Sequence, residues 1–345
     1  MAIHPLELVA PPERARADAR RPAVARGCPL CTSTASVPIL EIPLARGPAA
    51  GLYTLRRCLA CDLVFTDPRP ADEVLSGLYA EEFYFSTGWP FRGLAEFVLH
   101  GIQRTRQRRV QRYVRRGSLL DVGSGDGRFV RHMAAEGWQA TGLDFSPAAH
   151  AIASSLPGDG RFLCGSLFDH DLEPGSLDVI TLWQVLEHIG EPSEFLGRCH
   201  VLMRPGGLFA AAVPNLDGLS ARLGGDRWWG LDVPRHLVHY TPSTLCAGLE
   251  QAGFRIARVN HLSLQYDPYA LLHSTLDRVF TRRHFLSDLV KRQLPGDLHP
   301  LETAWNLAAL AAIGPVLAPC CVLAAAAGAC VGRGGFIEVF ARRGW

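Results

Sequence analysis

From Ser118 onward, short apolar runs alternate with longer stretches in which apolar positions recur at helical spacing. Strands are predicted at 118–122, 139–143, 161–164, 177–183, 207–213, 254–262 and 335–341, and helices over 127–136, 147–155, 192–203 and 242–252. The last helix is well punctuated: Thr241 can cap it, Pro242 suits its first turn and Gly253 follows its end. Strand-helix alternation of this kind predicts an α/β fold, a Rossmann-like, mostly parallel sheet with a final antiparallel strand and helices on both faces. Its ligand site is expected beyond the carboxyl ends of the strands.

The pattern breaks twice. Residues 263–333 separate the last two strands, and within them 303–332 carry no charge. Gly314-Pro315 and Pro319 are expected to break that run into an apolar helical hairpin. Both ends of the insertion return to one sheet, so an odd number of membrane crossings is excluded, and two crossings need on the order of 40 apolar residues. A shallow hairpin at a membrane surface, or a helical pair packed on the protein or across a dimer, remains; Arg282, Arg283, Lys291, Arg292 and Arg333 flank it and would suit anionic headgroups. The other break lies ahead of Ser118. Expected there are a disordered leader (1–26), a metal-ribbon-like module (27–66) and a helical connector (67–117) that includes the aromatic Phe83-Tyr84-Phe85; the α/β domain takes 118–262 and 334–345.

Composition narrows the function classes. With 345 residues, 48% hydrophobic and 20% charged, the chain is too apolar for a disordered protein, and a formal charge of +2 argues against one whose main work is to neutralise nucleic-acid phosphates. Residues 1–26 mix Pro, Glu, Asp and Arg without a sustained apolar run, so the expectation is a cytoplasmic protein, peripheral at the inner face of the membrane if the apolar segment touches lipid. Lys291 is the only lysine among 35 basic residues, which reads as a coding bias and lowers the weight of every arginine cluster. The seven arginines from Arg104 to Arg116 are accordingly read as a solvated helix face, with Ile102, Val110, Tyr113 and Val114 on its buried side, ahead of the alternative of a patch for phosphate or anionic lipid.

Four of the ten cysteines fall as Cys28-x-x-Cys31 and Cys58-x-x-Cys61. Two such turns present four thiolates to one tetrahedral Zn²⁺, a closed site that holds a fold without doing chemistry. Thr32 and Asp62 follow each second cysteine, where glycine often relieves a positive φ.

The string Leu119-Leu120-Asp121-Val122-Gly123-Ser124-Gly125-Asp126-Gly127 runs from a strand through a glycine loop into a helix. Its third glycine comes one residue early for a dinucleotide fingerprint, and Asp121 suits a cofactor that brings a cation to this loop. The segment resembles the first motif of the class I S-adenosylmethionine (SAM) methyltransferases. Later strings follow in the family's order: Gly142-Leu143-Asp144-Phe145-Ser146, then Gln184-Val185-Leu186-Glu187-His188-Ile189, the Arg204-Pro205-Gly206-Gly207 turn, and Pro214-Asn215. The front, Cys58 to Phe65 followed by Pro68, Pro70, Leu78 and Tyr79, is similar to the zinc-ribbon leader of a bacterial subset linked with small-molecule, sugar and envelope-polymer synthesis. The resemblance implies SAM as cofactor, held by Asp121, Gly123, Ser124, Gly125 and Gly127 of the loop. It also implies Asp144 at the ribose hydroxyls with Phe145 and Ser146 beside it, Ser166 and Leu167 at the adenine after Gly165, and Gln184 near the methionine arm. Ser166 departs from the family, which often has an acid there.

Transfer to oxygen or an acidic carbon needs a base as well as alignment. Three histidines compete: His188 after the fourth strand, and His236 and His239 in Val233-Pro234-Arg235-His236-Leu237-Val238-His239-Tyr240. Trp228 and Trp229 can line an acceptor or simply pack, and Arg235 can meet a substrate anion. The function expected is methyl transfer to oxygen or carbon of a small-molecule, sugar or lipid-linked intermediate. Against it stand an RNA methyltransferase, which would use the Arg104–Arg116 patch together with the ribbon but is disfavoured by the charge balance and by the lack of an Asn/Asp-Pro-Pro-Tyr/Phe string, and a non-enzymatic scaffold for envelope assembly.

Overall fold

The computed structural model describes residues 27–44, 49–80, 92–263, 265–291 and 299–344; the expected leader, Phe83-Tyr84-Phe85 and Arg292 lie outside the described residues. Three strands come first, β1 (Ser36–Leu44), β2 (Gly51–Cys58) and β3 (Val64–Asp67), paired antiparallel in succession. Helices α1 (Asp72–Ala80) and α2 (Arg92–Gln111) follow. Strands and helices then alternate as β4 (Ser118–Val122), α3 (Arg128–Ala135), β5 (Gln139–Asp144), α4 (Pro147–Ser155), β6 (Arg161–Cys164), β7 (Leu177–Trp183), α5 (Pro192–Leu202) and β8 (Met203–Pro214). The chain continues through α6 (Leu219–Gly224), β9 (Val238–His239), α7 (Pro242–Gln251), β10 (Phe254–Asn260), α8 (Asp267–Leu276), α9 (Phe285–Lys291), α10 (Pro300–Cys330) and β11 (Phe336–Arg343).

Seven strands form one sheet in the order β10-β11-β8-β7-β4-β5-β6. β4 runs parallel to β5 and β7, β5 to β6, and β7 to β8, so the predicted mostly parallel sheet is present. Leu119, Leu120 and Val122 of β4 and Val179, Ile180 and Leu182 of β7 are all buried, as strands covered on both faces require. Phe129, Val130 and Met133 of α3 join Leu119, Val179, Leu208 and Phe340 in the core. On α2, Val110 is buried and Val114 just beyond it as well, while Arg104, Arg108, Arg112, Arg115 and Arg116 are exposed. Five of the seven arginines thus lie on a solvated face, and Arg106 and Arg109 are half-buried.

The chain forms two compact units. One comprises Asp72–Val213, Leu245–Val259 and Val339–Trp345; the other gathers Met1–Ala71 with Pro214–Thr244 and Asn260–Glu338. Within the latter, β1, β2 and β3 are extended by β9 into a four-stranded sheet, with Val64 opposite His239 and Phe65 opposite Val238. A core of Ile42, Leu55, Val64, Leu216, Ala221, Trp228 and Leu231 lies in this unit.

The expected break at Gly314-Pro315 does not occur. α10 is a single helix of 31 residues that passes through both Pro315 and Pro319. Each proline removes one i→i−4 hydrogen bond, at about 3 kcal/mol in a helix interior. Both are exposed here and stand four residues apart, so the carbonyls they leave unbonded fall on one solvent-facing stripe. The opposite stripe carries Ala309, Cys321, Ala325 and Gly328, small buried residues that let α10 lie close to Leu271 and Leu276 of α8. The apolar hairpin is therefore one long helix.

Candidate active site

At the carboxyl end of β4 the chain turns through Gly123, Gly125 and Gly127, all with positive φ. A Cβ at Gly123 would collide with Val185, and one at Gly127 with the ring of Phe162, so both positions require glycine for space as well as for backbone. The amides of Gly123 and Ser124 donate to the Leu143 carbonyl at 2.7 and 3.1 Å, which folds the loop over the end of β5.

That fold brings Asp144 to the loop. Its Oδ2 accepts from the Gly125 amide at 2.8 Å and its Oδ1 from the Ser146 amide at 2.9 Å. Burial raises its pKa against these bonds. Each oxygen engages one donor and keeps a lone pair, so the carboxylate is fixed in orientation and can still accept from a diol. Ser146 caps α4 by accepting from the Ala149 amide at 3.3 Å, and Phe145, between the two, leaves its ring about half exposed.

Asp121 is buried inside the strand end, and Thr181 of β7 donates to its Oδ1 at 2.6 Å. Burial, reinforced by Asp144, pushes its pKa up to about 7 against the opposing pull of Thr181 and of Arg106. Arg106 of α2 is half-buried, its guanidinium 4.9 Å from the centre of the Trp183 ring. Sequence reasoning missed it because its helix neighbours are plain surface arginines.

Gln184 follows β7 in a left-handed backbone conformation, φ 62°, uncommon for a residue with a side chain. Its amide donates to the Ala212 carbonyl at 2.9 Å, and among the described residues its buried Nε2 meets no acceptor. An oriented, unsatisfied donor at a strand end is what a polar ligand would complete. His188 closes a 3₁₀ turn, Leu186–His188, beyond it.

After β6, Leu167 is buried and Ser166 is exposed. The Ser166 amide donates to Asp169 Oδ2 at 2.6 Å and the Phe168 amide to Ser166 Oγ at 3.3 Å, a capping-box arrangement that orders the loop. The Ser166 amide also draws the Asp169 carboxyl below its usual range. Asp169 thus places an acid beside position 166, bonded to its amide, and the Ser-x-x-Asp spacing was the signal that could have found it.

His236 and His239 belong to the other unit. His236 is buried and its Nδ1 lies 2.8 Å from the Gly230 carbonyl, so Nδ1 carries the proton and, in the neutral ring, Nε2 carries the lone pair. Burial lowers its pKa. His239 is held in β9 with Nε2 3.2 Å from Thr66 Oγ1, and burial, with His236 beside it, lowers its pKa to about 3. Trp228 is a core residue whose Nε1 donates to Ser220 Oγ at 3.1 Å, so it does not line an acceptor surface. Trp229 packs edge-on to Tyr269 at 5.4 Å, and Arg235 pairs with Asp232 at 3.0 Å.

In the same unit the four ribbon cysteines converge, their sulfurs all within 4.8 Å of one another, with Cys28–Cys61 and Cys31–Cys58 at 3.5 Å. Zn–S bonds of about 2.3 Å place tetrahedral sulfurs roughly 3.8 Å apart, so the cluster has the right size. Both turns are built alike: Thr32 donates to the Cys28 carbonyl and Asp62 to that of Cys58, each residue with φ 62°. The positive φ expected after each second cysteine is there, borne by side chains that disfavour it. Burial pushes the Cys28 thiol up to about 11 and raises Cys61 further, while the Ala60 and Cys61 amides outweigh burial and bring Cys58 to about 7. Four crowded thiolates need a countercharge, which a divalent ion would provide.

The family model described as "Methyltransferase domain" matches residues 94–259. A ubiquinone biosynthesis O-methyltransferase of Xanthomonas euvesicatoria is 30% identical over 164 residues, which cover 44% of this chain and 67% of that protein. One from Chromobacterium violaceum is 28% identical over 172 residues, 46% of this chain and 72% of that protein. Among solved structures, an S-adenosylmethionine-dependent methyltransferase from Mesorhizobium loti is similar at 18% identity and a TM-score of 0.41, over 66% of this chain and 90% of that one. The glycine loop and the ends of β4 to β7 all fall inside the matched segment, and by the family model and the Xanthomonas relative the chain belongs to the class I S-adenosylmethionine-dependent methyltransferases.

Proposed function

We propose that the protein methylates a hydroxyl of a small, hydrophobic or lipid-linked acceptor and works at the cytoplasmic face of a membrane. Oxygen as the acceptor atom is supported by the O-methyltransferases among its relatives. The observation that carries the acceptor class is α10, whose outer face exposes Trp305, Leu307, Ile313, Val316, Val322 and Leu323.

Bound SAM supplies a methyl group already activated by the sulfonium. The residues that would hold it are those gathered at the strand ends. Asp144, fixed by the Gly125 and Ser146 amides, accepts from the ribose hydroxyls. The Gly123–Gly127 loop lets the cofactor lie against the main chain, and Asp121 answers its positive charge. Ser166 and Leu167 bracket the adenine, and Gln184 turns its unsatisfied amide to the methionine arm. His236 is the base we assign: burial disfavours its cation, and its Nδ1–H bond to the Gly230 carbonyl puts the neutral ring's lone pair on Nε2, the atom that a general base would use. His239 of β9, fixed to Thr66 of β3, is a positioning residue, and we assign His188 to the cofactor edge. A structural Zn²⁺ held by Cys28, Cys31, Cys58 and Cys61 completes the reading.

The test is a transfer assay with methyl-labelled SAM and an extract of source cells, partitioned between organic and aqueous phases, with Gly123→Val as the blank. Enzyme-dependent label in the organic phase is expected. Label confined to the aqueous phase, and sensitive to nuclease, would replace this reading with RNA modification.

A further inference from the structure

A second cluster of metal-ligating side chains lies in the inserted segment, apart from the cysteines. His273 and Asp277 stand four residues apart at the carboxyl end of α8 and share one helix face. Both side chains are fully buried. The chain then loops back to His284, the residue before α9, whose left-handed backbone (φ 60°) accompanies a return of its ring to within 5.5 Å of the His273 ring. One ligand atom from each of the three residues lies within 4.8 Å of the other two.

The distances separate a metal site from a hydrogen-bonded triad. His273 Nδ1 is 3.6 Å and His284 Nδ1 4.0 Å from Asp277 Oδ2, both too long for a hydrogen bond. Nitrogen and oxygen ligands at about 2.0–2.2 Å from a tetrahedral Zn²⁺ stand roughly 3.3–3.6 Å from each other. The His273–Asp277 spacing falls in that range and the His284–Asp277 spacing is a few tenths of an ångström longer, so a small side-chain movement brings all three groups around a common centre. Asp277 adds an independent sign: Oδ2 accepts from the His284 amide at 2.9 Å, but among the described residues its buried Oδ1 accepts from nothing.

Nearby cations do not prevent this. Arg227 spends its guanidinium on the Asp277 and Phe280 carbonyls, at 2.5 and 3.2 Å, and Arg283 is paired with Asp226 at 2.7 Å.

We propose that His273, Asp277 and His284 form a binding site for a divalent transition metal of the zinc type, tying the end of α8 to the start of α9. Two imidazoles and a carboxylate suit such an ion and are poor ligands for Mg²⁺ or Ca²⁺. His284 is partly exposed and gives the ion its route in. Trp229 and Tyr269 flank His273 on the inner side, with ring centres at 6.2 and 5.7 Å.

The experiment is metal content per chain of the full-length protein after loading with Zn²⁺ and removal of the excess, read with Co²⁺ substitution as a second probe. Wild type is expected to hold about two ions per chain, and His284→Gln or Asp277→Asn about one. The thiolate-to-cobalt charge-transfer absorption stays intact in those variants, because it arises at the cysteines. A Cys31→Ser/Cys61→Ser variant loses that absorption and keeps the second ion, which adding His284→Gln then removes. His284 is partly exposed, so its variant is expected to fold, and circular dichroism checks it. Metal content unmoved by both His284→Gln and Asp277→Asn, or a Cys31→Ser/Cys61→Ser variant that holds no ion, overturns the proposal.

Discussion

Asp121 sits at a strand end where its charge depends on its company. Burial raises its pKa to about 7, so near neutral pH the unliganded protein holds it partly protonated. A cationic cofactor favours the carboxylate and lowers that value in the complex. The sign follows: affinity for SAM rises with pH up to about 7 and then levels, because below that a proton must be expelled on binding. Asp121→Asn is expected to bind SAM more weakly and with a flat pH dependence; a wild-type titration already flat between pH 5 and 8 would remove Asp121 from this role. The two histidines of the His236–His239 segment part company in the same way. Removing a general base costs about 10²- to 10⁴-fold in rate. His236→Gln is expected to lose turnover on that scale with unchanged SAM affinity, whereas His239→Gln is expected to lower thermal stability first, since its buried ring ties β9 to Thr66 of β3. Equal losses of turnover in both, at equal stability, would contradict the assignment.

At the scale of elements, the four-stranded sheet depends on its cysteine turns. β2 ends at Cys58, and β3 begins at Val64 just after the second turn, so the cysteine cluster closes the connection between these strands. Structural zinc contributes apparent free energies of about 10 kcal/mol or more, comparable to the roughly 5–15 kcal/mol that holds a whole domain. Cys58→Ser is therefore expected to unfold this sheet well below the melting temperature of the wild type, seen as a separate early transition by circular dichroism; a single unshifted transition would mean the thiols are only packing. These turns, like the glycine loop and the parallel strands, could be read from sequence because their constraints are local. A Cys-x-x-Cys turn, a strand running into glycines and a Thr-Pro helix start each fit within ten residues. What could not be read depends on distant partners. Two residues, Val238 and His239, are too short a run to announce a strand until Val64 and Phe65 pair with them. Asp169 stood outside the family motif, and only the folded loop returns its carboxylate to the Ser166 amide. The Gly314-Pro315 break failed because a local rule met a tertiary contact: the small-residue face of α10 on α8 offsets the bonds its prolines forfeit.

The molecule as a whole is unusual in what α10 leaves uncovered. At about 1.5 Å per residue its 31 residues reach roughly 46 Å, more than the hydrocarbon thickness of a bilayer, and its most apolar stretch has a mean hydropathy of 2.2 with only 17% of that window buried. One stripe is committed to α8, which argues against an isolated spanning helix and for a helix lying along a membrane surface with Val316, Val322 and Leu323 in the acyl layer. The flanking cations contribute less than their number suggests, since Arg282 pairs with Asp288 and Arg283 with Asp226. Binding to vesicles is therefore expected to persist in moderate salt, driven by apolar area more than by headgroup charge. Burying a Val or Leu side chain is worth about 1.5–3 kcal/mol, so a Val316→Glu/Leu323→Glu variant should lose at least about a hundred-fold in partitioning. Its SAM affinity should not change. In a flotation assay wild type rises with the vesicles and the variant stays below. If wild type stays below as well, and instead forms dimers that the same two substitutions dissociate, the exposed stripe meets a second copy of the chain and the lipid-linked acceptor loses its support.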